Sequence, residues 1–233
     1  MKEKALKYLE KNSLFHMSMI FPIKRGTADI FYAKDDGVFF RETESNAYML
    51  SITDFNKGRE LFDKAGRQNL VCVFQKDIAV YLHKKHNYRK CMENFQAVYT
   101  KKVPIKIEQR RLDIQPLNLS HLDLVYEHYH DDVDYDYLKR RLSTSAIYGS
   151  FINDELCGFA GTHEEGSIGI LKVLEKFRRQ GFALELESYM VNIFLERGDI
   201  PFAQVNPPNT ASIALHKKIG FELSADCLYW LFD

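Results

Sequence analysis

The chain has 233 residues, of which 45% are hydrophobic and 27% are charged, a composition typical of a globular protein with a substantial core. Its 32 basic and 32 acidic residues cancel, so no excess of positive charge favours nucleic acid or an anionic membrane as a partner. No apolar run is long enough to span a membrane, and the first residues are charged rather than typical of a signal peptide. We therefore expect a cytoplasmic protein with no nucleic-acid or membrane partner.

The cysteine and acidic patterns do not predict a metal site. The four cysteines are far apart and include no CxxC pair, so reduced thiols are expected rather than a zinc site or a disulfide framework. Asp132, Asp134 and Asp136 match the opening of a calcium-binding loop. However, Tyr137 stands where that loop requires glycine and Ser143 where it requires an acid, which excludes the motif.

The first hundred residues predict a mixture of helices and strands. The expected helices cover residues 2–12, 14–20, 55–65 and 78–85. The expected strands cover residues 28–33, 38–41, 48–52, 70–74 and 95–100. An Asp-Gly pair at Asp36-Gly37 between two apolar runs indicates a hairpin. No pattern in this half points to catalysis, and the histidines near residue 85 are expected to be ordinary cations at a helix end.

A connecting segment, KKVPIKIEQRR at residues 101–111, follows this half. It contains Pro104 and several basic residues but is not a Gly/Ser linker, so we expect two closely packed domains, 1–105 and 106–233. A solvated connector or an edge strand explains its charge more simply than a nucleic-acid site does.

The second half predicts an α+β arrangement. The expected strands cover residues 112–114, 147–152, 156–162, 167–174, 202–205, 222–223 and 227–232. The expected helices cover residues 120–129, 184–196 and 211–218, and a further helix begins near residue 135. Three consecutive strands form an antiparallel meander, and the GxGxxG pattern of a dinucleotide fold is absent. The acidic segment before residue 135 is either a solvated loop that caps the next helix or a lip at which Tyr126, Tyr129 or the acids attract a cationic amine.

A charged turn between the third meander strand and the next helix predicts an anion-binding site. The first backbone N–H groups of a helix are unpaired and lie at the positive end of its dipole. Gly181 would allow a phosphate to approach the backbone closely, and Arg178 and Arg179 add positive charge. An ordinary strand–helix connection is the alternative interpretation.

A short repeat relates the two halves. The sequence LHKK occurs at residues 82–85 and again at 215–218. The same offset superposes the predicted strand 70–74 on 203–207, and it suggests a degenerate internal duplication. At this offset the anion loop falls on Ser45–Leu50, which contains neither arginine nor glycine. We therefore expect one anion loop per chain, in the second half.

The spacing R-x-x-G-x-A from Arg178 to Ala183, with Leu171 and Val173 before it, resembles the signature of the GNAT superfamily of acyl-CoA-dependent N-acyltransferases. The segment from Asn209 to Phe221 resembles the N-x-x-S-x-x-L-Y-x-x-x-G-F motif of the same superfamily, at the expected distance. Two motifs in the right order are much more specific than either alone.

The run HEEGSIG at residues 163–169 also resembles the C-terminal domain of the glycine N-acyltransferase-like branch. That likeness covers about residues 112–232, and the N-terminal half is more loosely similar to the first, GNAT-like half of the same branch. The resemblance implies a GNAT-type sheet that is mixed but mostly antiparallel and flanked by helices, preceded by a degenerate GNAT-like half.

The resemblance also implies a cofactor site for acetyl-CoA or another acyl-CoA as co-substrate, without a metal. Strand residues would pair with the pantetheine arm, loop residues would hold the pyrophosphate, and residues of the following helix would contact the same molecule. These positions are Leu171, Val173, Arg178, Arg179, Gln180, Gly181, Phe182, Ala183, Asn209 and Ser212.

The catalytic assignments are Glu165 and His216. Glu165, with His163 or Glu164 as alternatives, is predicted to be the base that deprotonates the amine, because these residues immediately precede the cofactor strand. His216 replaces the tyrosine that the superfamily usually employs to protonate the leaving thiolate. A histidine can donate a proton near neutral pH, although a structural helix histidine is an equal alternative. A strand N–H between Leu171 and Val173 would bind the thioester oxygen.

The predicted function is an N-acetyltransferase, or more generally an N-acyltransferase, that moves the acyl group of acetyl-CoA to a primary amine or amino acid by direct attack in a ternary complex. A non-catalytic acyl-CoA-binding or sensor protein is the first alternative. A structural protein without affinity for CoA is the second. A homodimer is left open.

Overall fold

In the computed structural model the described residues are 1–108, 110–130 and 133–233. They form a mixed α+β fold in which a mostly antiparallel sheet is flanked by helices. The helices are α1 (Lys2–Leu9), α2 (Met17–Arg25), α3 (Phe55–Ala65), α4 (Lys76–His86), α5 (Leu122–Tyr129), α6 (Tyr135–Ser143), α7 (Phe182–Glu196) and α8 (Thr210–Ile219).

The strands are β1 (Ala28–Lys34), β2 (Gly37–Glu42), β3 (Tyr48–Ile52), β4 (Leu70–Val73), β5 (Lys90–Val98), β6 (Asp113–Pro116), β7 (Ile147–Ile152), β8 (Glu155–Thr162), β9 (Ile168–Val173), β10 (Phe202–Val205) and β11 (Glu222–Phe232). Of the helices in the described ranges, none is both long and apolar enough to cross a membrane.

Two compact units divide these elements. The first unit contains residues 1–98, 204–213 and 222–233, and the second contains residues 99–203 and 214–221. Each unit therefore draws on both halves of the sequence. The predicted division into domains 1–105 and 106–233 stays a prediction.

The first unit is built around strands that pair in the order β1, β2, β3, β4, β11 and β5. Pairing is antiparallel except between β3 and β4, where Tyr48 lies opposite Val71 in a parallel register. The C-terminal strand β11 lies between β4 and β5, with Tyr229 opposite both Val73 and Glu93. The core of this unit includes Phe62 of α3.

The second unit contains the meander predicted from the sequence. Strands β6, β7, β8 and β9 pair antiparallel in this order, and β10 pairs with β9 in a parallel register, with Ala203 opposite Ile168. Helix α7 connects these two parallel strands and packs against β8 and β9. Helices α5 and α6 pack together over a core that includes Leu138, Phe159 and Ile170.

Some element ends differ from the predictions. Helix α2 begins only at Met17 and continues past Pro22 to Arg25, although a proline inside a helix removes a hydrogen bond and crowds the preceding turn. Met19, Ile20 and Ile23 of this helix are buried, and their packing opposes that cost. The C-terminal pair of predicted strands is one strand, β11, with a register shift between Leu223 and Cys227. Asp134 caps α6 by accepting from the N–H of Tyr137, whereas Asp132 of the same acidic segment lies outside the described residues.

Candidate functional site

The predicted anion loop lies at the end of β9. A 3₁₀ turn at Glu175–Phe177 leads into four exposed residues, 178–181, and α7 begins at Phe182. Gly181 has φ +85° and Arg179 has φ +61°, so both adopt the left-handed conformation that tight turns require. Within the described chain no side chain caps the start of α7. The first N–H groups of this 15-residue helix are therefore left for solvent or a ligand.

The predicted loop residues are brought together here. Arg178 donates from Nε to the carbonyl oxygen of Val173 at 3.2 Å, which ties the loop back to the strand end. Arg179 and Gln180 are exposed, Phe182 is buried and Ala183 is half-buried. The loop thus combines exposed cationic side chains with exposed backbone N–H groups, and both kinds of group bind phosphate oxygens.

Arg111 is a residue of this site that the sequence analysis missed. Its guanidinium donates to the carbonyl oxygen of Gln180 at 2.8 Å and lies 4.8 Å from the ring centre of Phe182. The buried carboxylate of Glu185 accepts from the N–H groups of Arg111 and Leu112 at 2.8 and 3.0 Å. Arg111 therefore braces the loop from the connecting segment. No local motif marks this role, because it depends on a contact between residues about 70 positions apart.

The same segment lines a pocket of about 510 Å³ beside Gly181. Lys106, Arg111 and Lys218 contribute its basic groups, and Leu184 is part of its apolar wall.

Strand β9 contains a bulge that the sequence did not predict. Lys172 lies opposite Phe159 and Gly169 lies opposite Gly161, so β9 has one more residue than β8 between these pairs. Ile170 adopts φ +52° at this point. A β-branched residue with positive φ is a rare conformation, and such strain concentrates at functional sites. The bulge re-aims the backbone groups of β9 next to Leu171.

The three candidate bases lie in the tight turn before β9. The N–H of His163 donates to the carbonyl oxygen of Ser167 at 2.9 Å, which closes the turn. Glu165 is buried and accepts from the hydroxyl of Ser167. Glu164 forms an ion pair with Arg140 at 3.0 Å.

His163 contacts Tyr137 of α6, with 2.5 Å between Nδ1 and the phenol oxygen. Burial raises the pKa of Tyr137, and the nearby carboxylate of Glu165 raises the same pKa further. The turn is therefore a partly buried cluster of titratable groups. It lies before the first residue of β9, whereas the anion loop follows the last one. Its role as a base site stays a prediction.

His216 is buried. Its Nε2 lies 2.9 Å from Oε1 of Glu187 on α7, and its ring meets Phe221 edge to face with centres 5.0 Å apart. These contacts connect α8 to α7. They account for the residue structurally, and its predicted role as an acid stays a prediction.

The remaining predicted cofactor residues have local structural roles. Asn209 precedes α8 and accepts from the N–H of Ser212 at 3.1 Å, which caps the helix. Leu171 and Val173 are half-buried on β9. Their contacts with a cofactor stay predictions. Among the described residues, no three His, Cys, Asp or Glu side chains are grouped so that they could hold a metal ion.

Comparison with known proteins identifies the type of fold. Residues 147–231 match the family described as FR47-like protein. A comparison with curated proteins by sequence gave no match.

Among solved structures, a Drosophila protein is similar at 14% identity with a TM-score of 0.67, covering 99% of this chain and 95% of its own. An acetyltransferase of the GNAT family from Colwellia psychrerythraea is similar at 13% identity with a TM-score of 0.55, covering 98% of this chain and 97% of its own. A GCN5-related N-acetyltransferase-like protein from Streptococcus suis is similar at 12% identity with a TM-score of 0.58, covering 98% of this chain and 100% of its own.

These similarities are low in identity but extend over nearly the full length of both partners. The resemblance to the glycine N-acyltransferase-like branch stays a prediction. The chain has the fold of the GNAT acetyltransferases, and its residues 147–231 are similar to the FR47-like family.

Proposed function

We propose that the protein is an acyl-CoA-dependent N-acyltransferase that moves the acyl group of acetyl-CoA to a primary amine. The observation that carries this proposal is the loop at residues 178–181, which joins the bulged strand β9 to the uncapped start of α7. Its exposed cations and backbone suit a pyrophosphate, and it occurs in a GNAT fold.

The order of groups along β9 supports one orientation of the donor. With the pyrophosphate at the loop, the pantetheine arm would run from Val173 to Leu171 and bring the thioester to the bulge at Ile170. A re-aimed N–H at the bulge would then bind the thioester oxygen as negative charge develops on it. The acceptor amine would approach from the side of the turn at residues 163–167.

The reaction then balances as a direct transfer. The amine nitrogen forms a bond to the thioester carbon, the carbon–sulfur bond breaks, and CoA leaves as a thiolate. One proton of the amine goes to the base, for which Glu165 remains our proposal, and the thiolate takes a proton from an acid or from water. Holding both substrates in line supplies much of the rate, because it converts a bimolecular encounter into a reaction within one complex.

The burial of His216 favours a second candidate function. Because Nε2 of His216 lies 2.9 Å from Glu187 in the interior, this histidine faces a carboxylate of α7 rather than an open site. A protein that binds acyl-CoA without turning it over would need the loop but no acid. An acyl-CoA by amine screen that reads free thiol separates the two, since saturable binding without any CoA release would contradict the enzyme proposal.

The loop itself is tested by placing a carboxylate at Gly181. In Gly181→Glu, the new charge would occupy the anion site, and we expect calorimetry to detect no binding of acetyl-CoA. Gly198→Glu is the matched control, because Gly198 ends the same helix with φ +76° and has open space around it. Both variants place a side chain at a positive-φ glycine, and only the one at position 181 also meets a neighbour, the guanidinium of Arg111. Equal loss of binding in the two would contradict a specific site at the loop.

A further inference from the structure

Tyr137 of α6 contacts His163 of the turn before β9, and this contact shows which nitrogen of the imidazole is hydrogen-bonded. Helix α6 places the phenol against the imidazole, with 2.5 Å between the phenol oxygen and Nδ1 and 6.0 Å between the ring centres. Such a short distance indicates a direct hydrogen bond. Nδ1 of His163 is therefore occupied by Tyr137, and Nε2 is the ring nitrogen left to interact with a substrate.

Nε2 of His163 lies against β9. A Cβ atom built on Gly169 would fall 2.4 Å from Nε2 and 2.6 Å from Cδ2 of His163. The imidazole thus fills the space that any side chain at position 169 would need. Gly169 lies one residue before Ile170, where β9 bulges, and His163 is only partly buried. Nε2 is accordingly positioned at the level where the thioester is proposed to lie.

The charges around the pair favour a neutral phenol as the donor. Burial raises the pKa of Tyr137, the carboxylates of Glu165 and Glu164 raise it further, and the guanidinium of Arg141 opposes them. Arg141 itself donates to the carbonyl oxygen of Thr162 at 2.9 Å. A phenol that stays protonated donates to Nδ1, and a neutral imidazole that accepts at Nδ1 carries its hydrogen on Nε2.

We propose that Tyr137 holds His163 in the tautomer with hydrogen on Nε2, and that this N–H donates a hydrogen bond to the acyl carbonyl oxygen beside Gly169. The inference rests on the proposed acyl transfer. It assigns His163 a role different from that of a base, since the imidazole donates a hydrogen bond and takes up no proton from the amine. Tyr137 is then a positioning residue, and Glu165 remains the proposed base.

The tautomer is tested by ¹⁵N NMR of the full chain labelled at histidine, with the His163 resonances identified by their loss in His163→Gln. We expect Nε2 to carry the hydrogen and Nδ1 to resonate as a hydrogen-bonded acceptor. In Tyr137→Phe the Nδ1 resonance should move to that of an acceptor without a hydrogen bond. Tyr135→Phe, which removes an exposed phenol on the same helix, should leave it unchanged. Hydrogen on Nδ1 in the wild type would overturn the proposal.

The donor role is tested by adding acetyl-CoA or CoA to the same labelled protein. Only acetyl-CoA has a carbonyl oxygen at the proposed position, so it should shift the Nε2 resonance by clearly more than CoA does. Equal shifts would overturn the donor role. This comparison needs no turnover.

Turnover provides the third test. The side-chain amide of His163→Gln can donate from nearly the same point as Nε2, whereas His163→Asn is too short to do so. We expect kcat to fall about 10²-fold in the Asn variant and much less in the Gln variant. If both variants lose activity equally, His163 acts as a base and the proposal is wrong. A protein that binds no acyl-CoA at all would refute the proposed function, while the tautomer result would still stand.

Discussion

His16, on the first unit, shows how burial controls the chemistry of one residue. Its Nε2 lies 2.9 Å from the hydroxyl oxygen of Ser51, and its Nδ1 lies 3.0 Å from the carbonyl oxygen of Leu9. Burial lowers the pKa of His16 from its ordinary value of 6.5, although its backbone hydrogen bonds raise it in part. The unfolded chain therefore binds a proton at His16 at a higher pH than the folded chain does.

This difference makes folding stability depend on pH with a defined sign. Because the folded-state pKa is lowered, the stabilisation is present above the unfolded pKa of about 6.5 and is lost as pH falls below it. We expect the free energy of unfolding to fall between pH 7 and pH 5 by up to about 1.4 kcal/mol per pH unit from this residue. Urea denaturation at several pH values measures the slope.

His16→Phe should reduce that slope, and His83→Gln, a change at an exposed histidine of the same unit, should leave it as in the wild type. An unchanged slope in His16→Phe would show that other groups, such as the partly buried His86, account for the whole effect.

At the residue scale, the sequence predicts chemistry that depends on local spacing and misses what depends on distant contacts. The loop from Arg178 to Gly181 could be predicted because its glycine and arginines are neighbours in the chain. The braces at Arg111 and Tyr137 could not, since each depends on a contact with a residue far away in sequence. The positive φ of Ile170 contradicts the preference of a β-branched residue, so no propensity could have indicated it.

Elements were predicted well where hydrophobic periodicity determines them. The bounds of β3, α3, β7 and β10 agree with the predictions, because each is a short apolar run or an amphipathic repeat between clear turn residues. Helix α2 differs because Pro22 and its neighbours are buried, and burial overrides the local signal of the proline. Strand β11 differs because a register shift between Leu223 and Cys227 lets one strand pair along its whole length with β5.

The contact between α7 and α8 depends on a buried pair, Glu187 and His216. Removing one partner of a buried polar pair leaves the other without that partner, at a cost that reaches about 3–5 kcal/mol when both groups are charged. We expect His216→Phe to destabilise the protein more than Glu187→Leu does, because it leaves the carboxylate of Glu187 buried without the imidazole, and burial costs a carboxylate more than an imidazole. Chemical denaturation measures both.

The double variant Glu187→Leu/His216→Phe should lose less stability than the sum of the two single variants, since no unpaired group remains. Additive losses would show that the two side chains do not interact. The phenylalanine keeps an aromatic ring against Phe221, so the cycle reports on the polar contact rather than on packing.

At the scale of the whole molecule, the order strand, helix, parallel strand, helix occurs twice along the chain, as β3–α3–β4–α4 and as β9–α7–β10–α8. The inferred duplication stays a prediction, but the two helix starts differ in a way that matters for ligand binding. Asp54 caps α3 by accepting from the N–H of Lys57 at 3.0 Å, whereas Gly181 leaves α7 uncapped by any side chain of the described residues. The carboxylate of Asp54 also repels an anion.

We therefore expect each chain to bind one molecule of acyl-CoA, at the loop before α7. Calorimetric titration with acetyl-CoA should give a stoichiometry of one per chain, and Gly181→Glu should abolish all binding rather than half of it. Asp54→Ala should leave the stoichiometry at one, because the connection between β3 and α3, Thr53-Asp54, contains neither the arginines nor the glycine of the loop before α7. Two sites per chain, or residual binding in Gly181→Glu that disappears on a further change at Asp54, would show that the first unit also holds a cofactor.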